Sequence, residues 1–105
     1  MFYPATKLVI VTEHFICEKV CSIIEACGSK GYTLLPAGGK GLHHRHPTIN
    51  KASVVEGSDN IKIDVITHDA EQAEKIAQRI LKECFEDYPG IMYLEEVKIC
   101  RPDRF

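Results

Sequence analysis

No run of apolar residues in this chain approaches the length of a membrane-spanning helix. The opening residues, Met1 to Lys7, lack the charged-then-apolar order of a secretory leader. Charge of one sign is also missing. The formal net charge is −2, which argues against a broad electrostatic grip on nucleic acid. The five cysteines, Cys17, Cys21, Cys27, Cys84 and Cys100, are odd in number and contain no C-x-x-C pair. In a reducing compartment they read as small buried hydrophobes. No Ser-His-Asp or Cys-His set has a spacing that defines a catalytic centre. Glu95 and Glu96, with Asp64, read as solvent-facing or subunit-facing carboxylates. Together these absences predict a cytoplasmic protein that is not an enzyme.

What is present fits one compact domain, residues 1–105. At 45% hydrophobic and 27% charged residues the composition is that of a soluble globular protein. A domain of this size buries only roughly two thirds of its unfolded surface, so a large apolar face left over needs a partner chain.

Lys7, Leu8, Val9, Ile10 and Val11 form a short β-branched run that suits a strand buried on both faces. A helix is expected over residues 13–27, because Ile16, Val20, Ile23, Ile24 and Cys27 recur at helical spacing. Gly28 is placed to end it in the left-handed conformation. Residues 31–35 read as a second strand, with Pro36 ending it or lying on a sheet edge. Residues 37–59 show no sustained period and are rich in Gly, His, Ser and Asn. They read as a long functional loop, placed at about 38–60.

Ile61, Lys62, Ile63, Asp64 and Val65 alternate as in a strand with one apolar face. Asp69 is placed as a helix N-cap, with Gln72 completing the capping box. Ala73, Ile76, Ala77, Ile80, Leu81 and Cys84 are the expected buried stripe of that helix. Tyr88, Pro89 and Gly90 break it. Ile91 to Leu94 open a fourth strand that Val97 and Ile99 extend, and residues 100–105 form a short tail. The order is β-α-β, long loop, β-α-β. That is the α+β ferredoxin-like sandwich, with both helices on one face of an antiparallel sheet. Nothing remains in one chain to cover the other face, so oligomerisation is expected.

Several segments in this order resemble the PII signalling family, and more closely its PII-like branch linked to inorganic carbon, the bicarbonate-transporter-associated and carboxysome-associated proteins. They are Lys7 to Glu13, Gly31-Tyr32-Thr33, Gly38-Gly39-Lys40-Gly41, Asn60-Ile61-Lys62 and Asp87 to Tyr93. The resemblance implies a homotrimer that binds nucleotide in clefts between subunits and docks its loop on a membrane transporter, here one for bicarbonate. A cytoplasmic location, peripheral at the inner membrane through that transporter, follows. It places Gly38, Gly39, Lys40 and Gly41 at the base of the loop beside the phosphates. Pro89, Gly90, Ile91 and Met92 line base and ribose, Val11 and Thr12 lie where the first strand reaches the cleft, and Arg101 and Arg104 bring basic charge from the tail.

Glycines let backbone N–H groups approach a phosphate, and a guanidinium binds it bidentately. Arg45 is the only arginine of the loop and the implied further phosphate contact. A tyrosine for uridylylation, a two-cysteine redox tail and the acidic-glycine-lysine nucleotide loop of nitrogen-type members are all missing. The resemblance therefore points to AMP, ADP or cyclic AMP, with bicarbonate as a second ligand, and to no tightly bound cofactor. Two other readings stay open. His43, His44 and His46 have the composition of a transition-metal site, as in a metal-responsive or divalent-cation-tolerance-type protein. A weak nucleotide hydrolase is the second.

Overall fold

The computed structural model describes residues 1–38 and 59–104. Tyr3–Glu13 forms β1, Tyr32–Ala37 β2, Asn60–Thr67 β3 and Gly90–Ile99 β4. The helices among the described residues are α1, Cys17–Ala26, and α2, Ala70–Glu83. Short 3-10 turns cover His14–Ile16 and Pro102–Arg104. The four strands make one antiparallel sheet in the order β2-β3-β1-β4. This is the expected α+β arrangement.

β1 is longer than the run at residues 7–11 because both of its edges are occupied. Thr6 to Glu13 pair with β3, and Tyr3 to Thr12 pair with β4. Ladder pairing on both sides holds polar residues such as Thr6 and Thr12 in the strand, which hydrophobicity alone does not. The same pairing shortens the first helix. Glu13 lies opposite Asn60, so the chain turns through His14–Ile16 before α1 starts at Cys17.

Alternation along the strands sorts the side chains onto two faces. Leu8 and Ile10 of β1 and Ile61, Ile63 and Val65 of β3 meet Val20, Ile24, Ala73, Ile76 and Ile80 of the helices in one core. Both helices therefore pack on the same face. Val9 points to the other face and is still fully buried by its neighbours on the sheet. Across that face Lys7 Nζ lies 3.8 Å from Asp64 Oδ2 and 3.4 Å from Glu95 Oε1.

The helix ends follow the sequence signals. Gly28 takes φ 92°, its N–H donates to the Glu25 carbonyl at 3.1 Å, and the Ser29 N–H donates to the Ile24 carbonyl at 3.3 Å. That paired arrangement closes α1 and needs the left-handed residue that glycine supplies without strain. At the start of α2 the Gln72 N–H donates to Asp69 Oδ1 at 2.9 Å, and the Gln72 side-chain oxygen accepts from the His68 N–H at 2.9 Å. Pro36 lies inside β2, which is an edge strand and tolerates a missing donor.

Four expectations of burial are not fully met, and Cys27 and Ala77 are the milder cases, half-buried against the core. Leu81 is 52% exposed, because α2 reaches over β4 at the sheet edge and no further strand of the described residues lies beyond to cover it. Cys100 is exposed because it follows the last paired residue of β4. Cys17, Cys21 and Cys84 are buried as expected.

Removing the α2 cap tests this reading of the helix start. Asp69→Ala should lower the unfolding free energy by about 1 kcal/mol, with Asp69→Asn retaining most of it. In urea titrations the midpoint should fall while the slope stays constant.

Candidate functional site

β1 runs antiparallel to both β3 and β4, and β2 runs antiparallel to β3. The C-terminal ends of β1 and β2 therefore meet the N-terminal ends of β3 and β4 at one end of the sheet. Glu13 pairs with Asn60, Ala37 pairs with Asn60 from the other side, and Thr12 pairs with Gly90. Gly38 follows directly and is exposed. Most of the described candidate ligand residues thus gather at this end from strands far apart in the chain.

Thr12 organises it. Its side chain is fully buried, and its hydroxyl donates to the Pro89 carbonyl at 2.9 Å. This bond fastens the turn after α2 to the end of the central strand. Gly90 follows, where a side-chain methyl would fall inside the ring of Phe85. A glycine here lets that half-buried ring cover the start of β4. Behind the turn, Leu81, Phe85, Met92 and Leu94 line an apolar groove of about 240 Å³.

Strand alternation divides the candidates. Val11 and Ile91 are paired on the helix-free face, where Ile91 is 54% exposed. Met92 turns to the helix face and packs against the core. Arg101 and Arg104 are not brought to this end. Ile99 pairs with Tyr3, so the tail leaves from the opposite end of the sheet. The ten residues of β4 span about 30 Å at ~3.3 Å per residue. Arg101 adopts a left-handed φ of 57° and its carbonyl accepts from the Arg104 N–H at 3.1 Å. Within one chain Thr12 and these arginines are therefore held far apart.

Gly39, Lys40, Gly41, Arg45 and the histidines His43, His44 and His46 lie outside the described residues. Among the described residues no group of three or more His, Cys, Asp or Glu side chains is arranged to hold a metal ion. Cys17 and Cys21 place their sulfurs 4.0 Å apart in the core, and burial pushes the Cys21 thiol up to about 11. At neutral pH that thiol stays protonated and behaves as an apolar group.

The site also contains residues not singled out as candidates from the sequence. Glu13 and Asn60 are buried at the strand ends, 5% and 1% exposed. Phe15, 82% exposed, stacks on Tyr88 with ring centroids 5.8 Å apart. A buried polar residue at the end of an apolar strand run was the available signal for the first two. The ring pair had none, because it joins residues from opposite ends of the chain.

The family model of the nitrogen regulatory protein P-II matches residues 5–104, and the chain belongs to that family. A PII-like signaling protein from Thermus thermophilus is similar at 28% identity and TM-score 0.78, over 99% of this chain and 97% of that one. CPII from Thiomonas intermedia, solved with ADP, AMP and bicarbonate, shares the fold at 23% identity and TM-score 0.74, over 97% and 99% of the two chains. The Bacillus subtilis GlnK–ATP complex shares it at 22% identity and TM-score 0.59, over 90% and 82%.

The Thr12–Pro89 bond predicts a specific pair of outcomes. Thr12→Val keeps the shape and removes the donor, so unfolding should become easier by about 1 kcal/mol, while Thr12→Ser should lose less. Chemical denaturation of the two variants beside the parent protein measures the difference.

Proposed function

We propose that this P-II family chain forms a homotrimer that binds an adenine nucleotide in clefts between subunits and thereby regulates a membrane transporter for bicarbonate. The family match makes it a PII-like signalling protein; the ligand, the assembly and the transporter are what we add. AMP, ADP or cyclic AMP is the nucleotide in this reading, and bicarbonate is a second ligand. CPII, which shares the fold, was solved with ADP, AMP and bicarbonate.

The observation that carries the reading is the convergence of four strand ends around the Thr12–Pro89 bond. Pro89 to Met92, which this reading assigns to base and ribose, lie beside the end of β1 and close to where segment 38–60 leaves and rejoins the sheet. A ligand at that end acts on the segment without a long relay. It shifts the protein toward transporter contact or release only by binding one state more tightly than the other. No bond of the nucleotide has to break, so the role is regulatory and not catalytic.

The placement of the tail supports clefts shared between subunits. Arg101 and Arg104 leave the sheet about 30 Å from Thr12 within one chain, by the ~3.3 Å rise per strand residue over β4. In a closed ring a neighbour's tail supplies what the chain's own cannot. The helix-free face, with exposed Leu35, Ile91 and Tyr93, is the surface such an assembly buries.

Calorimetric titration with AMP, ADP, ATP and cyclic AMP, each with and without bicarbonate, tests the ligand. One nucleotide per subunit should bind saturably, with an affinity that changes when bicarbonate is present. Absence of binding by every nucleotide rejects the sensor reading. The double variant Arg101→Ala with Arg104→Ala should weaken nucleotide binding by roughly tenfold or more, since charge-assisted hydrogen bonds are worth about 1.5–3 kcal/mol each. Wild-type affinity in that variant rejects the tail assignment alone.

A further inference from the structure

We propose that Phe15, backed by Tyr88, is a stacking platform for the base of the bound nucleotide; this rests on the nucleotide reading above. Phe15 belongs to the 3-10 turn that follows β1 and is 82% exposed, while the next residue, Ile16, is 5% exposed and anchors the turn in the core. The turn is held from a second side, where the His14 N–H donates to the Asp59 carbonyl at 2.6 Å. The backbone that carries the ring is thereby fixed on both sides of Phe15.

The partner ring fixes it further. Tyr88 lies at a centroid distance of 5.8 Å and an interplanar angle of 29°, and it packs against the hydrophobic core. Tyr88 immediately precedes Pro89, whose carbonyl is held by Thr12. Both rings are thereby tied to the end of the sheet where the candidate ligand residues gather, Phe15 through β1 and Tyr88 through the turn before β4. Tyr88 backs Phe15 from one side, and the high exposure leaves the ring otherwise open. A flat π system is the ligand such a face suits, because stacking needs one open ring face and no matching pattern of donors.

The flanking residues narrow the choice. His14, Glu18, Lys19, Glu86 and Asp87 are all exposed and polar or charged. A protein-docking centre buries a broad apolar patch, and this ring stands among charges. The carboxylates of Glu18, Glu86 and Asp87 outnumber the one fixed cation among them, Lys19, whose ammonium is turned to the Glu83 carbonyl at 3.1 Å, so the balance of charge disfavours a phosphate. The uncharged base, and not the phosphate end, is therefore what belongs on Phe15. The ring pair then favours an aromatic base over ligands that offer only sugar and phosphate.

The test compares variants of the intact protein by titration with ADP and AMP. Phe15→Ala should weaken both by about 5- to 100-fold, the range of base-stacking losses on alanine substitution, and Phe15→Leu should recover little of it because it restores bulk without a ring. The chain contains no tryptophan, so Phe15→Trp places a single indole at the platform. Its fluorescence should be quenched saturably by ADP and left unchanged by inorganic pyrophosphate. Light scattering should show the same assembly state for Phe15→Ala as for the parent.

Wild-type ADP affinity in Phe15→Ala, with the parent binding normally, overturns the platform and leaves the nucleotide reading standing. A change of assembly state in Phe15→Ala makes the pair a subunit contact and overturns it as well. A parent protein that binds no nucleotide overturns both.

Discussion

The structure depends on one constraint: β1 is paired along both edges. Its backbone donors and acceptors are spent on β3 and β4, and Leu8, Val9 and Ile10 are at most 1% exposed. A strand held on both sides cannot slide, because a one-residue slip would turn Lys7 and Val11 into the helix-side core and send Leu8 and Ile10 out of it. Everything at the functional end follows from that fixed register. Thr12 reaches Pro89, 77 residues away in the chain, only because β4 starts opposite the end of β1. The glycine that admits Phe85 is placed by the same pairing.

The two faces of the sheet carry different kinds of specification. The helix face is closed by close packing of aliphatic side chains, which supplies most of the driving force of a domain this small. The other face carries Lys7 between Asp64 and Glu95, with Lys62 4.0 Å from Asp64. These side chains are a fifth to a half exposed, so each pair contributes at most about 1 kcal/mol in a single chain. Their larger effect is on register, since alternative pairings bring like charges together or bury one alone. Stability and uniqueness thus come mainly from opposite sides of one sheet.

Chemistry and architecture also separate cleanly along the chain. Cys21 and Cys84 lie where burial suppresses reactivity, because it raises both thiols. The groups with free surface and directional character sit instead at the strand ends and on the turns beside them. A rigid sheet that presents short turns at one end is a sound base for ligand recognition, because the ordering cost of those turns is met during folding and not during binding.

How much of this was legible in the sequence depends on the range of each interaction. Local signals held. The period of the residues facing the core in α2, the Asp69–Gln72 cap, the left-handed Gly28 and the alternation of β3 all rest on contacts within a few residues. The order of elements followed from them, and with it the fold. Signals that depend on what lies across the sheet did not hold. The full length of β1 required its partners on both edges, and Leu81 is exposed because no further strand of the described residues lies beyond β4. The candidate residues at both ends of the chain were named from their likeness to a family, and the tail arginines Arg101 and Arg104 proved to leave from the far end of the sheet. The sequence by itself determined which segments are strands and helices, because backbone preference and apolar period are local properties. Only the tertiary structure decided which residues share a site, because pairing register and strand direction set that and neither is written in any single segment.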